Sequence, residues 1–453
     1  AGTTRQARRW RRAGEQGAAS GVIAEPEVAG NAAGRIGMGS GHTSARTGAD
    51  LLVEELFTVA SARLSEGGGA SAPSGRSSPA MPPAASVAEH KRAQAERNGR
   101  AWFPLMSPEE LAPLAVDASA PLGQVRTMLR QHGVCLVTGL LSARECELME
   151  ALWAHDLAGV LAGGRESASR WSCSDGLRTW PAQWSGLLGR PGVASHRGLA
   201  HGAFAWAGRL HPGVRRVFAA VHEVPESELC VGLDCVFWAA ADMPSADSDR
   251  EWLHVDQNWR TGLVSECAQG VLYVWPSESD TSSTTVVWPG SHQHVYDDLM
   301  DDGLAIRKGH NPGGQSLRLN QLHDKSRSER LLAAARSGAR RVPCPAGSLL
   351  LWDSRTIHQG WAGGARLAMP VSWEPRDRRD PKALARKLFM CAAGVPSSHS
   401  GSEGRVHATT PKERPAPTAA TPEVPALVAS LVPFGVSPGS EEQWEAMQDE
   451  LWR

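Results

Sequence analysis

The sequence predicts a mainly β fold with flanking helices, in which the strands form an antiparallel barrel or sandwich such as a jelly roll. The first observation is a series of short β-branched or aromatic runs that Pro, Gly, Ser and Asp separate from one another. These runs span residues 233–240, 270–275, 284–288, 348–352 and 367–373. The second observation is that no helical pattern separates these runs, which favours antiparallel strands over parallel strands joined by helices.

Helical patterns and one buried strand precede this β-rich region. Residues 123–132 form a predicted helix that Gly133 ends, and residues 134–137 follow as a buried strand. Ser142 and Glu145 then form a capping box, because their side chains can satisfy the free amides at a helix start. Apolar residues continue after it at helical spacing, so we expect an amphipathic helix that packs on a larger body.

The predicted domain spans residues 101–400. It consists of a helical front (101–228), a jelly-roll core (229–376) and a trailing helix (381–393). The segment 401–453 is predicted to be a linker with a C-terminal amphipathic piece.

Residues 1–95 are rich in Gly, Ala, Ser, Pro and Arg, so they are expected to be a mostly disordered, low-complexity tail. A short helix over residues 50–64 is the predicted exception. Its expected apolar stripe consists of Leu51, Leu52, Leu56 and Val59.

The overall charge gives no sign of a nucleic-acid or membrane partner. The 453 residues include 47 Lys and Arg against 48 Asp and Glu, and the net charge of -1 supplies no general field for a polyanion. No apolar run approaches the roughly 20 residues that a membrane span needs. With 41% hydrophobic residues the chain can form a sizeable core, and its expected partner is a small molecule.

Cysteine usage indicates an intracellular protein, most simply a cytoplasmic one. The eight cysteines include no Cys-x-x-Cys pair, and Cys230 and Cys235 have opposite parity on one predicted strand, so we expect reduced thiols. Five arginines within residues 4–12 would suit an organelle targeting peptide, but acids that begin at Glu15 favour a basic disordered tail. Because the chain starts at Ala1, we expect a fragment or a processed form.

The run WLHVDQNW at residues 252–259 places His254 and Asp256 two positions apart in a predicted strand. Successive side chains of a strand point to opposite faces, so these two share one face. The arrangement suits two ligands of one metal ion, and it is also that of an ordinary polar strand face. The pair by itself leaves both interpretations open.

His358, in the run LLWDSRTIHQG at residues 350–360, is the candidate third ligand. Two imidazoles and one carboxylate occupy one face of an octahedral Fe(II) and leave three positions for a bidentate co-substrate and dioxygen. The set contains no thiolate, which disfavours a structural zinc site.

Arg366 follows His358 by eight residues, with Gly363 and Gly364 between them. A Gly-Gly turn between two extended runs predicts a hairpin, which would place Arg366 on the strand next to His358. A guanidinium there could bind the far carboxylate of a keto acid through two parallel hydrogen bonds. Singly, Arg366 could be a surface arginine and His358 a core or loop histidine; the order His-x-Asp, His, Arg is more specific.

These segments resemble the phytanoyl-CoA dioxygenase-like branch of the Fe(II)- and 2-oxoglutarate-dependent oxygenases. The resemblance covers roughly residues 101–400, including the opening strand and helix over 132–148. Its main motifs are WLHVDQ (252–257), QGV (269–271), VVWPGSH (286–292) and PAGSLLLW (345–352), the last running into His358.

The resemblance implies a double-stranded β-helix, the cupin-like barrel form of the jelly roll. It implies that His254, Asp256 and His358 bind Fe(II) and that Arg366 binds the co-substrate 2-oxoglutarate. The implied activity is that of an oxidoreductase, a dioxygenase that hydroxylates a C–H bond of a small molecule and decarboxylates 2-oxoglutarate to succinate. Halogenating relatives replace the carboxylate ligand with a small residue, so the retained Asp256 favours hydroxylation.

The chain departs from the family pattern at two places. Residues 282–284 stand where the family often has Asn-Gly, and Ala368 stands where related oxygenases often have a serine that contacts the carboxylate. Gln269 and Tyr273 have the same strand parity and could line the co-substrate pocket, with barrel packing an equally good explanation. His292 is expected in a turn or loop, and the tryptophans near the motifs are expected to fill the core.

Two other functions remain open. A cupin-like metal enzyme could use the same three ligands without 2-oxoglutarate, but it would have no need of Arg366. A non-catalytic binding module could keep the fold without turnover, although all four expected site residues are intact.

Overall fold

A computed structural model describes ten segments of the chain. They are residues 48–66, 103–162, 188–190, 192–239, 251–257, 267–301, 316–322, 324–379, 381–392 and 394–397. The Arg-rich segment 4–12, Trp259 and the predicted linker and C-terminal piece over 401–453 lie outside the described residues.

Short strands alternate with helices along the described chain. The strands are β1 (Ala115–Asp117), β2 (Val134–Thr138), β3 (Gly189–Arg190), β4 (Val193–Ala194), β5 (Leu229–Val231), β6 (Phe237–Ala239), β7 (His254–Val255), β8 (Ala268–Tyr273), β9 (Thr284–Val287), β10 (Leu317–Arg318), β11 (Arg340–Arg341), β12 (Ser348–Asp353), β13 (His358–Trp361), β14 (Arg366–Val371) and β15 (Trp373–Pro375). The helices are α1 (Gly48–Glu66), α2 (Pro108–Leu111), α3 (Gly123–His132), α4 (Ala143–Ala162), α5 (Ala203–Leu210), α6 (Pro212–His222), α7 (Ser291–His294), α8 (Tyr296–Asp301), α9 (Lys325–Gly338) and α10 (Pro381–Ala392).

Two larger sheets hold most of the strands. The first has the order β1-β2-β12-β8-β14-β6, and the second has the order β10-β7-β13-β9-β11. From β12 onward the chain alternates between them, with β12 and β14 in the six-stranded sheet and β13 in the five-stranded sheet. Neighbouring strands in both sheets are antiparallel, except for the parallel pair β1 and β2. Helices account for more of the described residues than the strands do. Three of them, α7, α8 and α9, lie between β9 and β12, so the expectation that no helix separates the β runs is wrong.

The two sheets face each other across a shared apolar layer. In β12, Leu349 and Leu351 pack with the helices, whereas Leu350 and Trp352 belong to a separate cluster. That cluster also contains Val287 from β9 of the other sheet. Because strand side chains alternate, every second residue of the central strands points into the space between the sheets.

Two local predictions about helix ends are confirmed. At the start of α4, the Ser142 amide donates to the Glu145 carboxylate over 2.7 Å, and the Glu145 amide donates to Ser142 Oγ over 3.2 Å. At the end of α3, Gly133 adopts a left-handed conformation with φ of 71°, and its amide donates to the Leu129 carbonyl. Both motifs depend only on residues close in sequence.

Helix α1 covers the predicted helix over 50–64 but buries a different stripe. Leu52 and Leu56 are buried as expected, together with Val53 and Ala60, which were not expected; Leu51 and Val59 are 54% and 41% exposed. The helix packs against α4 and α5, and its Asp50 pairs with Arg215 of α6. Residues 48–66 are thus part of the packed fold, although they lie outside the predicted domain over residues 101–400.

Two predicted strands differ from the observed ones. In the run 233–240 only residues 237–239 form a strand, and in the run 367–373 the chain leaves β14 after Val371. The Ser372 carbonyl accepts a hydrogen bond from the Gly232 amide at the break, and β15 then pairs with β5 in a separate small sheet. The pairing of β15 with β5 therefore divides the second predicted strand, 367–373, into two strands.

A buried ionic cluster joins α10 to this small sheet. Arg379 Nε and Nη2 donate to the two carboxylate oxygens of Glu374 over 2.8 and 3.0 Å, and Lys387 Nζ donates to Glu374 Oε1 over 2.9 Å. Lys387 also donates to the Val231 carbonyl. Burial alone would raise the pKa of Glu374, but the charges of Lys387 and Arg379 outweigh it and hold that pKa at about 2.

Glu374→Gln should destabilise the fold by roughly 3–5 kcal/mol at neutral pH, because it leaves two buried cations without their carboxylate. The wild type should lose this contribution as pH falls from the ordinary glutamate range near 4.5 towards 2, since the unfolded chain then binds the proton more readily. Denaturant unfolding at several pH values measures both effects, with Glu228→Gln on the exposed surface as control. Equal acid dependence in wild type and Glu374→Gln would contradict the role given to the cluster.

Candidate metal centre

Three parts of the chain bring the predicted metal ligands together. His254 begins β7 and His358 begins β13, and the two residues are direct partners in the antiparallel register. Asp256 follows β7, and its amide donates to the Ser354 carbonyl over 3.0 Å. Since Ser354 lies between β12 and β13, the turn that leads into His358 also fixes the position of Asp256.

The three side chains converge on one buried point. His254 Nε2 lies 3.2 Å from Asp256 Oδ1, and His358 Nε2 lies 3.2 Å from Asp256 Oδ2. One ligand atom from each residue lies within 4.8 Å of the others, and all three residues are buried. Within the described segments, this is the group of His, Cys, Asp and Glu side chains that could hold a metal ion.

Hydrogen bonds to the backbone assign the ring nitrogens. His254 Nδ1 lies 3.2 Å from the Trp252 carbonyl, and His358 Nδ1 lies 2.9 Å from the Thr356 carbonyl. A carbonyl only accepts, so each Nδ1 carries a proton and each neutral ring keeps its lone pair on Nε2. Burial lowers the pKa of His254 despite the opposing charge of Asp256, which favours the neutral ring.

When both rings are neutral, their two Nε2 lone pairs and the Asp256 carboxylate face one another. Acceptors in such an arrangement repel, whereas a cation among them would be bound by all three. The backbone carbonyls behind the rings have the usual role of outer partners that orient metal-binding imidazoles. The donor set fits a divalent transition metal.

Aromatic rings support both histidines. The indole of Trp252 stacks on the His254 imidazole at 4.7 Å with an interplanar angle of 14°, and Trp352 contacts the His358 ring at 5.0 Å. The sequence interpretation placed these tryptophans simply in the core. Their contact with ligand rings depends on the fold, although the position of Trp252 two residues before His254 on the same strand face was a usable signal.

The end of α3 supports the turn before His358. The Gly133 carbonyl accepts hydrogen bonds from the Asp353 amide (3.0 Å) and Thr356 Oγ1 (2.8 Å). A Cβ on Gly133 would lie 2.4 Å from Thr356 Oγ1, so a larger residue would displace the turn. The Ile357 amide also donates to Ser291 Oγ over 2.8 Å.

The predicted hairpin between His358 and Arg366 is wrong. β13 belongs to the five-stranded sheet and pairs with β7 and β9, whereas β14 belongs to the six-stranded sheet and pairs with β8 and β6. The chain crosses between the sheets at Gly363 and Gly364. Ser283 Oγ donates to the Gly364 carbonyl (2.6 Å) and accepts from the Gly363 amide (2.8 Å), so the segment 282–284 braces this crossing.

Arg366 nevertheless lies in a buried position on the inner face of its sheet. Its guanidinium is 4.4 Å from the Phe237 ring and 5.3 Å from the Tyr273 ring, and Nη2 donates to the Tyr273 hydroxyl over 3.3 Å. Its buried Nε has no acceptor, and no carboxylate pairs with the guanidinium among the residues that the structure describes. Phe237 was not among the residues that the sequence predicted for this site.

Tyr273 connects Arg366 to the sheet that carries the histidines. Its hydroxyl lies 3.1 Å from Thr285 Oγ1 on β9, and burial raises the pKa of Tyr273, so the hydroxyl stays neutral. Thr285 lies two residues before Val287, which is the register partner of His358. Thr285 is therefore a diagonal neighbour of His358, and such neighbours lie about 7–8 Å apart, so the polar chain from Arg366 ends one step from a metal ligand.

The other two predicted residues have different surroundings. Gln269 is buried on β8 opposite Trp352, the residue whose ring contacts His358. His292 lies in helix α7 rather than in a loop, and its Nε2 hydrogen-bonds the Arg130 carbonyl at 3.1 Å. It is outside the ligand group.

No protein-family model matches the chain. A curated protein of Aspergillus versicolor, "Ava biosynthesis cluster protein O", is 25% identical over 229 residues, which are 49% of this chain and 70% of that protein. The solved structure of the epimerase SnoN with Fe3+, alpha ketoglutarate and nogalamycin RO is 15% identical, with a TM-score of 0.34, over 56% of this chain and 84% of SnoN. GIG2 of Candida albicans is 11% identical, with a TM-score of 0.39, over 89% and 91%. These similarities are remote, so the chemistry of the site is inferred from its own side chains.

Two further expectations concern the cell compartment. Every cysteine that the structure describes is a free thiol, as expected. Among the described helices, none is both long enough and apolar enough to cross a bilayer.

One divalent metal ion per chain should bind at this centre. His254→Ala and Asp256→Ala should each weaken its affinity by at least roughly a hundredfold, because changes to outer partners alone cost 10–100-fold. Titration with Co(II), followed by its visible absorption, measures the affinity. His294→Ala, which removes an exposed histidine outside the group, should leave it unchanged. Wild-type affinity in His254→Ala would exclude this centre.

Proposed function

We propose that this protein is an Fe(II)- and 2-oxoglutarate-dependent dioxygenase that hydroxylates a C–H bond of a small molecule. The single observation that carries the proposal is the buried guanidinium of Arg366, which faces the same inter-sheet space as His254, Asp256 and His358 without a carboxylate partner among the described residues. A metal triad alone would fit several enzyme classes. The triad together with an unpaired buried cation fits a keto acid that binds the metal at one end and the arginine at the other.

The ligand set supports iron as the metal. Two imidazoles and one carboxylate fill one face of the coordination sphere and leave positions for exchangeable ligands, which is the arrangement of non-haem Fe(II) oxygenases. Iron bound there would supply the oxidative chemistry with dioxygen, in which 2-oxoglutarate is decarboxylated to succinate. Asp256 leaves no space for a halide ligand at its own position, which favours hydroxylation over halogenation.

The surroundings of Arg366 support 2-oxoglutarate as the co-substrate. An isolated buried cation is costly unless a counter-charge pairs with it, and the remote carboxylate of 2-oxoglutarate is such a group. The register also compensates for the missing serine of the family pattern. Ala368 is the direct strand partner of Tyr273, whose hydroxyl already contacts the guanidinium, so Tyr273 can provide the second hydrogen bond to the carboxylate.

The rest of the site keeps the reacting groups dry and oriented. The carbonyls of Trp252 and Thr356 hold the Nδ1 protons and direct both Nε2 atoms inward. Trp352 and Gln269 are buried beside the centre and exclude water from it. We assign Gln269 a place in the wall of the co-substrate pocket.

The arrangement of the sheets supports a double-stranded β-helix. Two antiparallel sheets face each other, and successive strands of the later part of the chain alternate between them. We assign the oxygenase domain to residues 101–400 together with helix α1, with a helical front, a core over 229–376 and a trailing helix, and we place it in the phytanoyl-CoA dioxygenase-like branch. The name of the Aspergillus versicolor relative, a biosynthesis cluster protein, agrees with a small-molecule substrate.

The two alternatives explain less of the site. A cupin-like metal enzyme without 2-oxoglutarate would have to tolerate the buried charge of Arg366 with no ligand for it. A non-catalytic module would retain three metal ligands, a buried arginine and a matching tyrosine without using them.

Without oxygen, the purified protein with Fe(II) and 2-oxoglutarate should give the weak visible charge-transfer band of a chelated keto acid. Asp256→Ala should lose the band because iron is lost. Arg366→Ala should require roughly 10–100-fold more 2-oxoglutarate, since charged hydrogen bonds contribute about 1.5–3 kcal/mol each. Arg144→Ala, at an exposed position, is the control. If iron binds and no band forms, the cupin-like alternative is favoured.

Tyr273→Phe should weaken 2-oxoglutarate binding by roughly 2–10-fold without changing iron affinity, because it removes one neutral hydrogen bond and no metal ligand. Titration of the same absorption band with 2-oxoglutarate measures the change. The chain has only one other tyrosine, Tyr296 in α8, so Tyr296→Phe is a matched control. Unchanged 2-oxoglutarate affinity in Tyr273→Phe would remove Tyr273 from the co-substrate site.

A further inference from the structure

Arg318 lies beside the metal centre on the edge of the five-stranded sheet. It belongs to β10, which pairs with β7, and it is the direct register partner of His254. Directly opposed residues of an antiparallel pair project from the same face, with Cβ atoms about 5 Å apart. Leu317 and Val255, the neighbouring pair, face the other way into an apolar cluster, as this alternation requires. Arg318 therefore shares the inner face with the metal ligands.

The guanidinium of Arg318 is exposed and has no acidic partner among the described residues. Its recorded contact is with the Trp252 ring, at 5.7 Å. Glu251 is next to Trp252 in the sequence, but Arg336 of α9 holds its carboxylate through two hydrogen bonds of 3.0 and 2.6 Å. The positive charge beside the metal ligand is thus left for a group from outside the described chain.

Trp252 links this arginine to the ligand histidine. Its indole stacks on His254 and contacts the guanidinium of Arg318, and its buried Nε1 has no acceptor among the described residues. A Cβ on Gly360 would lie 3.4 Å from the Trp252 ring, an ordinary van der Waals distance, so Gly360 lies directly beside the indole. The guanidinium is a forked donor that suits an oxyanion, and the Trp252 ring contacts it beside the ligand histidine.

We propose that Arg318 and Trp252 form a substrate subsite that binds an anionic group, a carboxylate or a phosphate, of the molecule to be oxidised. This inference rests on the proposed function, because it assigns the rim of that site to the substrate. Arg366 is buried and suits a co-substrate that is enclosed during the reaction. Arg318 is exposed, so it suits a substrate that enters and leaves in each cycle.

The test compares how well anionic and neutral compounds are retained by the protein. Wild type, Arg318→Gln and Arg318→Lys are loaded with Fe(II) and one equivalent of 2-oxoglutarate under nitrogen. Each is mixed with carboxylic acids and their primary amides, and separately with phosphate monoesters and their parent alcohols. Retained compounds are quantified by mass spectrometry after rapid gel filtration. Arg330→Gln, an exposed arginine of α9, is the control.

The wild type and Arg330→Gln should retain at least one anionic compound roughly 10–100-fold better than its neutral partner, the ratio expected for a charged hydrogen-bonded pair. Arg318→Gln should reduce that ratio to about one, and Arg318→Lys should be intermediate because an ammonium lacks the planar fork of a guanidinium. If the retained compound is a carboxylic acid, the subsite binds a carboxylate; if it is a phosphate monoester, the subsite binds a phosphate. The inference is overturned if the ratio is the same with and without Arg318. It is also overturned if no protein retains any of the compounds.

The charge-transfer band is recorded on the same samples to keep the two proposals apart. Arg318→Gln should keep the wild-type band, because Arg318 contacts neither the metal nor Arg366. A missing band in the wild type counts against the proposed function. If the band is intact and the retention of anionic compounds is the same with and without Arg318, only the anionic subsite is contradicted.

Discussion

The convergence of three potential metal ligands in one buried place is the constraint on which the rest of the site depends. His254 Nε2, His358 Nε2 and the Asp256 carboxylate face one another, and their protons are committed elsewhere, to the carbonyls of Trp252 and Thr356. A metal cation bound among the three donors would be attracted to all of them. The turn between β12 and β13, which the Gly133 carbonyl holds through Asp353 and Thr356, keeps these donors together.

The same logic explains why Arg366 can serve the centre from the opposite sheet. The sequence interpretation required a hairpin to bring Arg366 near His358, because a short Gly-Gly link usually joins neighbouring strands. In the structure the link crosses between the facing sheets, and the alternation of side chains then turns both residues into the same space. Arg366 thus faces the same space as His358 although the predicted hairpin was wrong, since only tertiary pairing decides which sheet a strand joins.

Local features could be predicted from the sequence, but the face that a helix buries could not. The capping box at Ser142 and the Gly133 helix end involve residues within four positions of each other, so the sequence contains all the partners. The helix over 50–64 was predicted, but its apolar residues allow more than one stripe. Contact with α4 and α5 selected the stripe through Val53 and Ala60, and Leu51 was left exposed. Trp252 and Trp352 were similarly assigned to the core because their ring contacts depend on the register.

Two arginines on opposite sides of the metal ligands differ in the way that their tasks would require. Arg366 is buried between aromatic rings and keeps one hydrogen bond to Tyr273, so any carboxylate that reaches it is held in a dry and rigid pocket. Arg318 lies exposed against a single ring, where a bound anion exchanges with solvent at little cost. A keto acid held at the buried charge and a substrate held at the exposed one would meet at the metal from two directions. The buried arginine would then bind 2-oxoglutarate, and the exposed arginine would bind the substrate. The two arginines lie on β14 and β10, which are distant in sequence, so the sequence alone does not show that both lie near the metal ligands.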